Sequence, residues 1–133
     1  MGEVVLDASV LLEFLDPQDV HHSAARQVIT AAVHGGDSVV VPASVLAEVL
    51  VGAARQGADI RDEAERRLLA SIDRLHPVDR DVAVHAADIR AVHPAVRLPD
   101  ALVLATGRAV GGRVLTADKR GAAVDGRVEV VGS

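Results

Sequence analysis

Four acidic residues sit inside or beside the most apolar stretches of the chain. Asp7 ends the run Glu3-Val4-Val5-Leu6-Asp7, and Glu48 interrupts Val45-Leu46-Ala47-Glu48-Val49-Leu50-Val51. Asp100 opens Asp100-Ala101-Leu102-Val103-Leu104-Ala105, and Asp118 closes Val114-Leu115-Thr116-Ala117-Asp118. A carboxylate is costly to desolvate and is rarely buried without a partner. Taken singly, each acid has an ordinary reading. Asp7 could cap a helix, Asp100 could favour a helix dipole, and Asp118 could be a turn residue; Glu48, on a mostly apolar helix, is harder to dismiss. Taken together, they point to a shared cation. Two carboxylates ~6 Å apart at an effective dielectric of ~20 repel by roughly 3 kcal/mol. A hard divalent ion such as Mg²⁺ or Mn²⁺ relieves that repulsion and suits an all-oxygen ligand set. Such an ion can activate water for attack on a phosphodiester and neutralise the charge that develops.

Short Val-rich strands alternating with helices must position these residues. Val4–Asp7, Ser38–Val41, a segment at His76–Asp79, Arg113–Thr116 and Arg127–Val131 read as strands or strand-like turns. Helical patterns follow Asp7, run from Val20 to Val33, begin at Pro42, form an apolar stripe from Ala64 to Leu75, span Arg80–Val92 and start again at Pro99. Asp125-Gly126 reads as a hairpin or turn. This alternation indicates one α/β domain over residues 1–133, with a short, mostly parallel sheet covered by helices on both faces. In such sheets ligands bind beyond the carboxyl ends of the strands, which is where Asp7 and Asp118 fall.

Composition narrows the function further. Half of the 133 residues are hydrophobic, yet there is one Phe and no Trp or Tyr, so a base-stacking platform is not expected. The absence of Cys rules out disulfides, thiolate metal sites and a cysteine nucleophile. The net charge of −5 argues against a diffuse basic nucleic-acid face, although a bound divalent ion would reverse the local field. No apolar run reaches the ~20 residues that span a bilayer, and no signal-peptide pattern is present. A soluble cytoplasmic protein is expected.

The segments Val5-Leu6-Asp7-Ala8-Ser9, Ser44 through Gly52, Leu98-Pro99-Asp100-Ala101-Leu102 through Thr106, and Leu115-Thr116-Ala117-Asp118-Lys119-Arg120 resemble, in order, the motifs of PIN-domain ribonucleases, and most closely those of VapC toxins. All four acidic positions of that pattern are filled. The resemblance implies Mg²⁺- or Mn²⁺-dependent endonucleolytic cleavage of RNA, held in check by a cognate VapB-like antitoxin. It also implies a homodimer, with DNA bound only indirectly through the antitoxin. Asp7, Asp100 and Asp118 correspond to metal ligands, and Glu48 to a ligand, a water-mediated ligand or a residue orienting the attacking water. Ser9 and Thr116 are similar to polar positions that support the carboxylates through hydrogen bonds.

Arg108, Arg113, Lys119 and Arg120 cluster in sequence around the last two acidic motifs, either as phosphate contacts or as a solvated rim. Asp88 is left outside the site. The six histidines show no ligand spacing and are expected on the surface. Two rivals follow from the same residues. One is a non-catalytic module gripping a basic peptide in an acidic cleft. The other is a different Mg²⁺-dependent phosphoryl-transfer enzyme, for which Asp7-Ala8-Ser9 supplies no nucleophile motif.

Overall fold

The computed structural model describes residues 2–131. Strand β1 (Glu3–Leu6) leads into helix α1 (Ala8–Leu15), followed by α2 (His22–His34), β2 (Ser38–Pro42), α3 (Ala43–Gln56) and α4 (Ala58–Ala70). Strand β3 (Arg74–His76), α5 (Arg80–Val92), α6 (Leu98–Val110), β4 (Arg113–Thr116), a 3-10 turn at Lys119–Ala123 and β5 (Val128–Val130) complete the chain. The five strands form one sheet in the order β3-β2-β1-β4-β5, with every pairing parallel. The chain winds outward from β1 through β2 to β3, then crosses over to β4 and β5. The direction of winding therefore reverses between β1 and β4, and a crevice opens there at the carboxyl ends of the strands.

The strand interiors are Val and Leu because both faces are covered. Val4, Val5, Leu6, Val40, Val41 and Leu115 have no measurable exposure, as expected for a parallel sheet between helices. Close backbone approaches fix the sheet's centre. A Cβ on Gly112 would lie 2.5 Å from the Glu3 carbonyl oxygen, and one on Gly107 would lie 2.6 Å from Val114 Cγ2. Gly111 closes α6 in the left-handed conformation at φ 68°, and the Gly112 N–H returns to the Gly107 carbonyl at 2.9 Å.

Several boundaries differ from the sequence reading. Helix α4 stops at Ala70, so Leu75 belongs not to its apolar stripe but to β3, paired with Val41. The strand lies at Arg74–His76 rather than beyond His76, because Asp79 is already capping α5, accepting the Val82 N–H at 3.0 Å. Asp125-Gly126 is a turn but cannot be a hairpin, since β4 and β5 run parallel and need a crossover. Among the described residues, no helix is long and apolar enough to cross a membrane.

Candidate metal centre

The geometry begins with the last residue pair of the two central strands. The Asp7 N–H donates to the Leu115 carbonyl at 2.9 Å, extending the β1–β4 pairing by one step. Both chains then leave the sheet. Asp7 caps α1, its Oδ1 accepting the Ala8 N–H at 2.6 Å. The capping reading of this residue is thus correct, and it leaves the second carboxylate oxygen free for other partners. That Oδ2 accepts the buried Thr116 hydroxyl at 2.6 Å and the Ser9 hydroxyl at 3.4 Å. Each hydroxyl also accepts: Thr116 Oγ1 takes the Asp118 N–H at 3.0 Å, and Ser9 Oγ takes the Ala117 N–H at 3.1 Å. The two hydroxyl residues therefore stitch the β1–α1 corner to the segment that carries Asp118.

Asp118 caps the 3-10 turn through the Arg120 N–H at 2.9 Å. Its carboxylate also receives the Arg120 guanidinium, with Nη2 2.7 Å from Oδ2, and this pairing holds its pKa below the usual carboxylate range. Asp100 stands in the first turn of α6 just after Pro99, where the helix dipole favours negative charge. Arg97 Nε lies 3.3 Å from its Oδ2. Asp7, Asp100, Thr116, Asp118 and Arg120 line one cleft of about 410 Å³.

Electrostatics sets Asp7 apart. Burial raises its pKa, the Thr116, Ala8 and Ser9 hydrogen bonds oppose that rise, and the negative charge of Asp100 adds to it. Every hydrogen-bond donor recorded to its carboxylate is neutral. Glu48 does not line the cleft, yet its carboxyl is also raised, by burial and then by the charges of Asp7 and Asp100, with Arg97 opposing.

These residues fit a hard cation by chemistry. The donors are carboxylate oxygens from three separate elements, with an excess of negative charge around Asp7. As the side chains stand, no group of three or more His, Asp or Glu among the described residues is arranged to hold a metal ion. Asp100 and Asp118 instead face Arg97 and Arg120. Both arginines are at least 70% exposed as side chains, and ion pairs at such a surface are weak, about 0–1 kcal/mol. Turning the Asp100 carboxylate toward Asp7 therefore costs little, whereas turning that of Asp118 also gives up its cap of the 3-10 turn.

The remaining cations divide clearly. Arg113 lies at the opposite, amino-terminal end of β4 and pairs with Asp37 at 3.0 Å and Glu129 at 3.3 Å. Arg108 pairs with Asp125 at 3.5 Å and does not line the cleft. Lys119 is exposed beside Asp118. Only Arg120 of the four lines the cleft. Two residues escaped the sequence reading. Arg97 was legible in hindsight, three positions before Asp100 at a helix start. His93, expected at the surface, is half-buried and lines the cleft from the end of α5; nothing in its local sequence marked it.

The single parallel sheet, with a cleft at its switch point lined by Asp7, Asp100 and Asp118, defines an α/β fold with an acid-lined cleft. Residues 4–127 match the PIN domain, and the chain belongs to that family. Similar solved structures include VapBC-5 from Mycobacterium tuberculosis, a member of the VapBC family of toxin–antitoxin systems (28% identity, 98% of each chain, TM-score 0.60). Others are a toxin–antitoxin complex from Klebsiella pneumoniae (20% identity, 96% of each chain, TM-score 0.76) and VapC20 from M. tuberculosis, a sarcin–ricin-loop-cleaving toxin (20% identity, 90% of this chain and 93% of that one, TM-score 0.69). No curated protein matches the chain.

Proposed function

We propose that this PIN domain is a divalent-metal-dependent endoribonuclease and the toxin of a toxin–antitoxin pair. The observation that carries the reading is that Asp7, Asp100 and Asp118, from the end of β1, α6 and the end of β4, line one cleft where, among the described residues, only neutral groups donate to Asp7. Asp7, Asp100 and Asp118 would hold Mg²⁺ or Mn²⁺, with Glu48 close enough electrostatically to assist. When bound, the ion supplies charge neutralisation at the phosphodiester and a more acidic water. The chain's own residues do the rest. Thr116 and Ser9 fix the orientation of the Asp7 carboxylate. Arg120 and Arg97, freed from Asp118 and Asp100, contact the substrate's phosphates at the cleft rim. Lys119 adds positive charge beside them, whereas Arg108 and Arg113 serve the fold.

The similar VapBC complexes, two of them solved with DNA, support a VapB-like antitoxin as partner; the proposal adds a cytoplasmic homodimer that acts on RNA and reaches DNA through that antitoxin. The purified chain, given Mg²⁺ or Mn²⁺, should cleave RNA, and EDTA, Asp7→Asn or Asp100→Asn should each abolish cleavage. Cleavage that survives the chelator and both substitutions removes these residues from the mechanism. Binding of a basic peptide with no divalent-dependent turnover would instead favour the acidic-cleft module, and hydrolysis of small phosphoesters but not RNA would favour another phosphoryl-transfer enzyme.

A further inference from the structure

The cleft is lined by two unlike sets of residues. One set is acidic, as described above. The lining also includes the apolar Val96, Val103, Leu104 and Val124, together with His93. Beside His93 the chain exposes an apolar lip: Val92 is 73% exposed, and Pro94 and Ala95 are exposed as well. The lip is held in place by its backbone. The Val96 N–H donates to the His93 carbonyl at 3.0 Å, and Arg90 Nε donates to the Val96 carbonyl at 3.0 Å. A cleft lined both by apolar side chains and by acids suited to a phosphodiester has the mixed polarity of a nucleotide, a hydrophobic base joined to a charged phosphate. Its volume of about 410 Å³ falls in the range of small-ligand sites and is too small for a duplex. The chain contains one Phe and no Trp or Tyr, and Phe14 does not line this cleft, so among the described residues the His93 imidazole is the one aromatic ring lining it.

Resting on the nuclease reading above, we infer that the apolar lining of the cleft forms a base subsite, in which the unpaired nucleobase next to the scissile phosphate stacks on the His93 ring among Val96, Val103 and Leu104. A paired base would have to leave its stack to enter, so the subsite takes an unpaired base. His93 is here a specificity-determining residue, and the face of its ring does the work.

The test uses the whole chain and a short single-stranded RNA carrying 2-aminopurine, with Ca²⁺ in place of Mg²⁺ to slow cleavage. Wild-type protein should quench the 2-aminopurine on binding, and the same RNA annealed to its complement should show no such quenching. His93→Ala should weaken binding about tenfold to a hundredfold, and His93→Phe, which keeps a ring, should restore it to within about threefold of wild type. His93 is partly exposed, so both variants should fold, and their thermal midpoints verify that. Binding by His93→Ala within twofold of wild type, or His93→Phe no better than His93→Ala, overturns the subsite. So does a basic peptide that loses affinity in His93→Ala while RNA does not, which would assign the hollow to a protein partner. If wild type cleaves RNA in Mg²⁺ and His93→Ala binds normally, the subsite alone falls. If wild type shows no divalent-dependent cleavage, the nuclease reading falls with it.

Discussion

At the amino-terminal end of the sheet, Arg113 reaches Asp37 at 3.0 Å and Glu129 at 3.3 Å, while Arg74 reaches Glu3 at 2.5 Å. At the carboxyl end, Asp7 is bonded by two hydroxyls and one backbone N–H. The residue types at the two ends overlap, but the balance of charge does not. Asp37 is held below its usual range chiefly by Arg113, whereas burial and the charge of Asp100 push Asp7 up. One end satisfies its acids from within the fold. The other keeps an excess of negative charge in place with neutral donors, as a cation site requires. The Arg97–Asp100 and Arg120–Asp118 pairs lie at the exposed edge of that second end and soften the excess without removing it.

The contrast makes its largest demand on paired substitutions. Asp7→Asn and Asp100→Asn should lower RNA cleavage by more than the roughly 10–100-fold that a supporting hydrogen-bond partner is worth. Asp37→Asn, at the balanced end, should leave cleavage unchanged and cost only stability. Equal losses at both ends, measured under single-turnover conditions, would erase the distinction.

Thr116→Val comes next. It removes the hydroxyl that donates to Asp7 and accepts from Asp118, so cleavage should fall about 10–100-fold, and stability by about 1.5–3 kcal/mol because the lost bond involves a charged group. It should also move the pH profile. Asp7 must be ionised to hold a cation, and its folded pKa is already raised from 3.8. The acid limb of activity should therefore lie above the ordinary Asp range. Loss of the Thr116 bond, which opposes that rise, should carry the limb to still higher pH. Stability runs the other way in EDTA: the stabilising contribution of Asp7 is complete below 3.8 and lost as pH rises through the folded value. An acid limb that stays put in Thr116→Val would deny this hydrogen bond its role.

The smallest effect separates the arginines. Arg120→Ala should reduce the salt slope of single-stranded RNA binding by about 0.7, while Arg113→Ala should leave the slope intact and lower the thermal midpoint slightly. If the slopes change the other way round, the assignment of the two ends is reversed.

Much of this was legible in the sequence, and the reasons are local. Asp7, Asp100 and Asp118 each break an apolar pattern at an element boundary, which is a strong one-dimensional signal, and Val-rich runs between helical patterns imply a parallel sheet. The strand order is not local. That β1 and β4 are neighbours, so that Thr116 can reach Asp7 across a separation of 109 residues, follows only from the reversal of winding. The strand at Arg74–His76 was misplaced because three residues at a sheet edge carry little periodicity. The arginines around Asp118 look alike in sequence, but β4 runs toward the cleft, and its length separates Arg113 at its start from Arg120 beyond its end. His93 was hidden for a similar reason, because only the packing of α5 against α6 brings it to the acids.

The most direct test is a Mn²⁺ titration of the metal-free protein followed by electron paramagnetic resonance, which reads bound ion without relying on turnover. Wild-type protein should show saturable loss of the free-Mn²⁺ signal, competed by Mg²⁺, with affinity sharply reduced in Asp7→Asn and Asp100→Asn and unchanged in Asp37→Asn. Binding of equal strength in all four proteins, or none in the wild type, would contradict the claim that the carboxyl end of this sheet is a divalent-cation site.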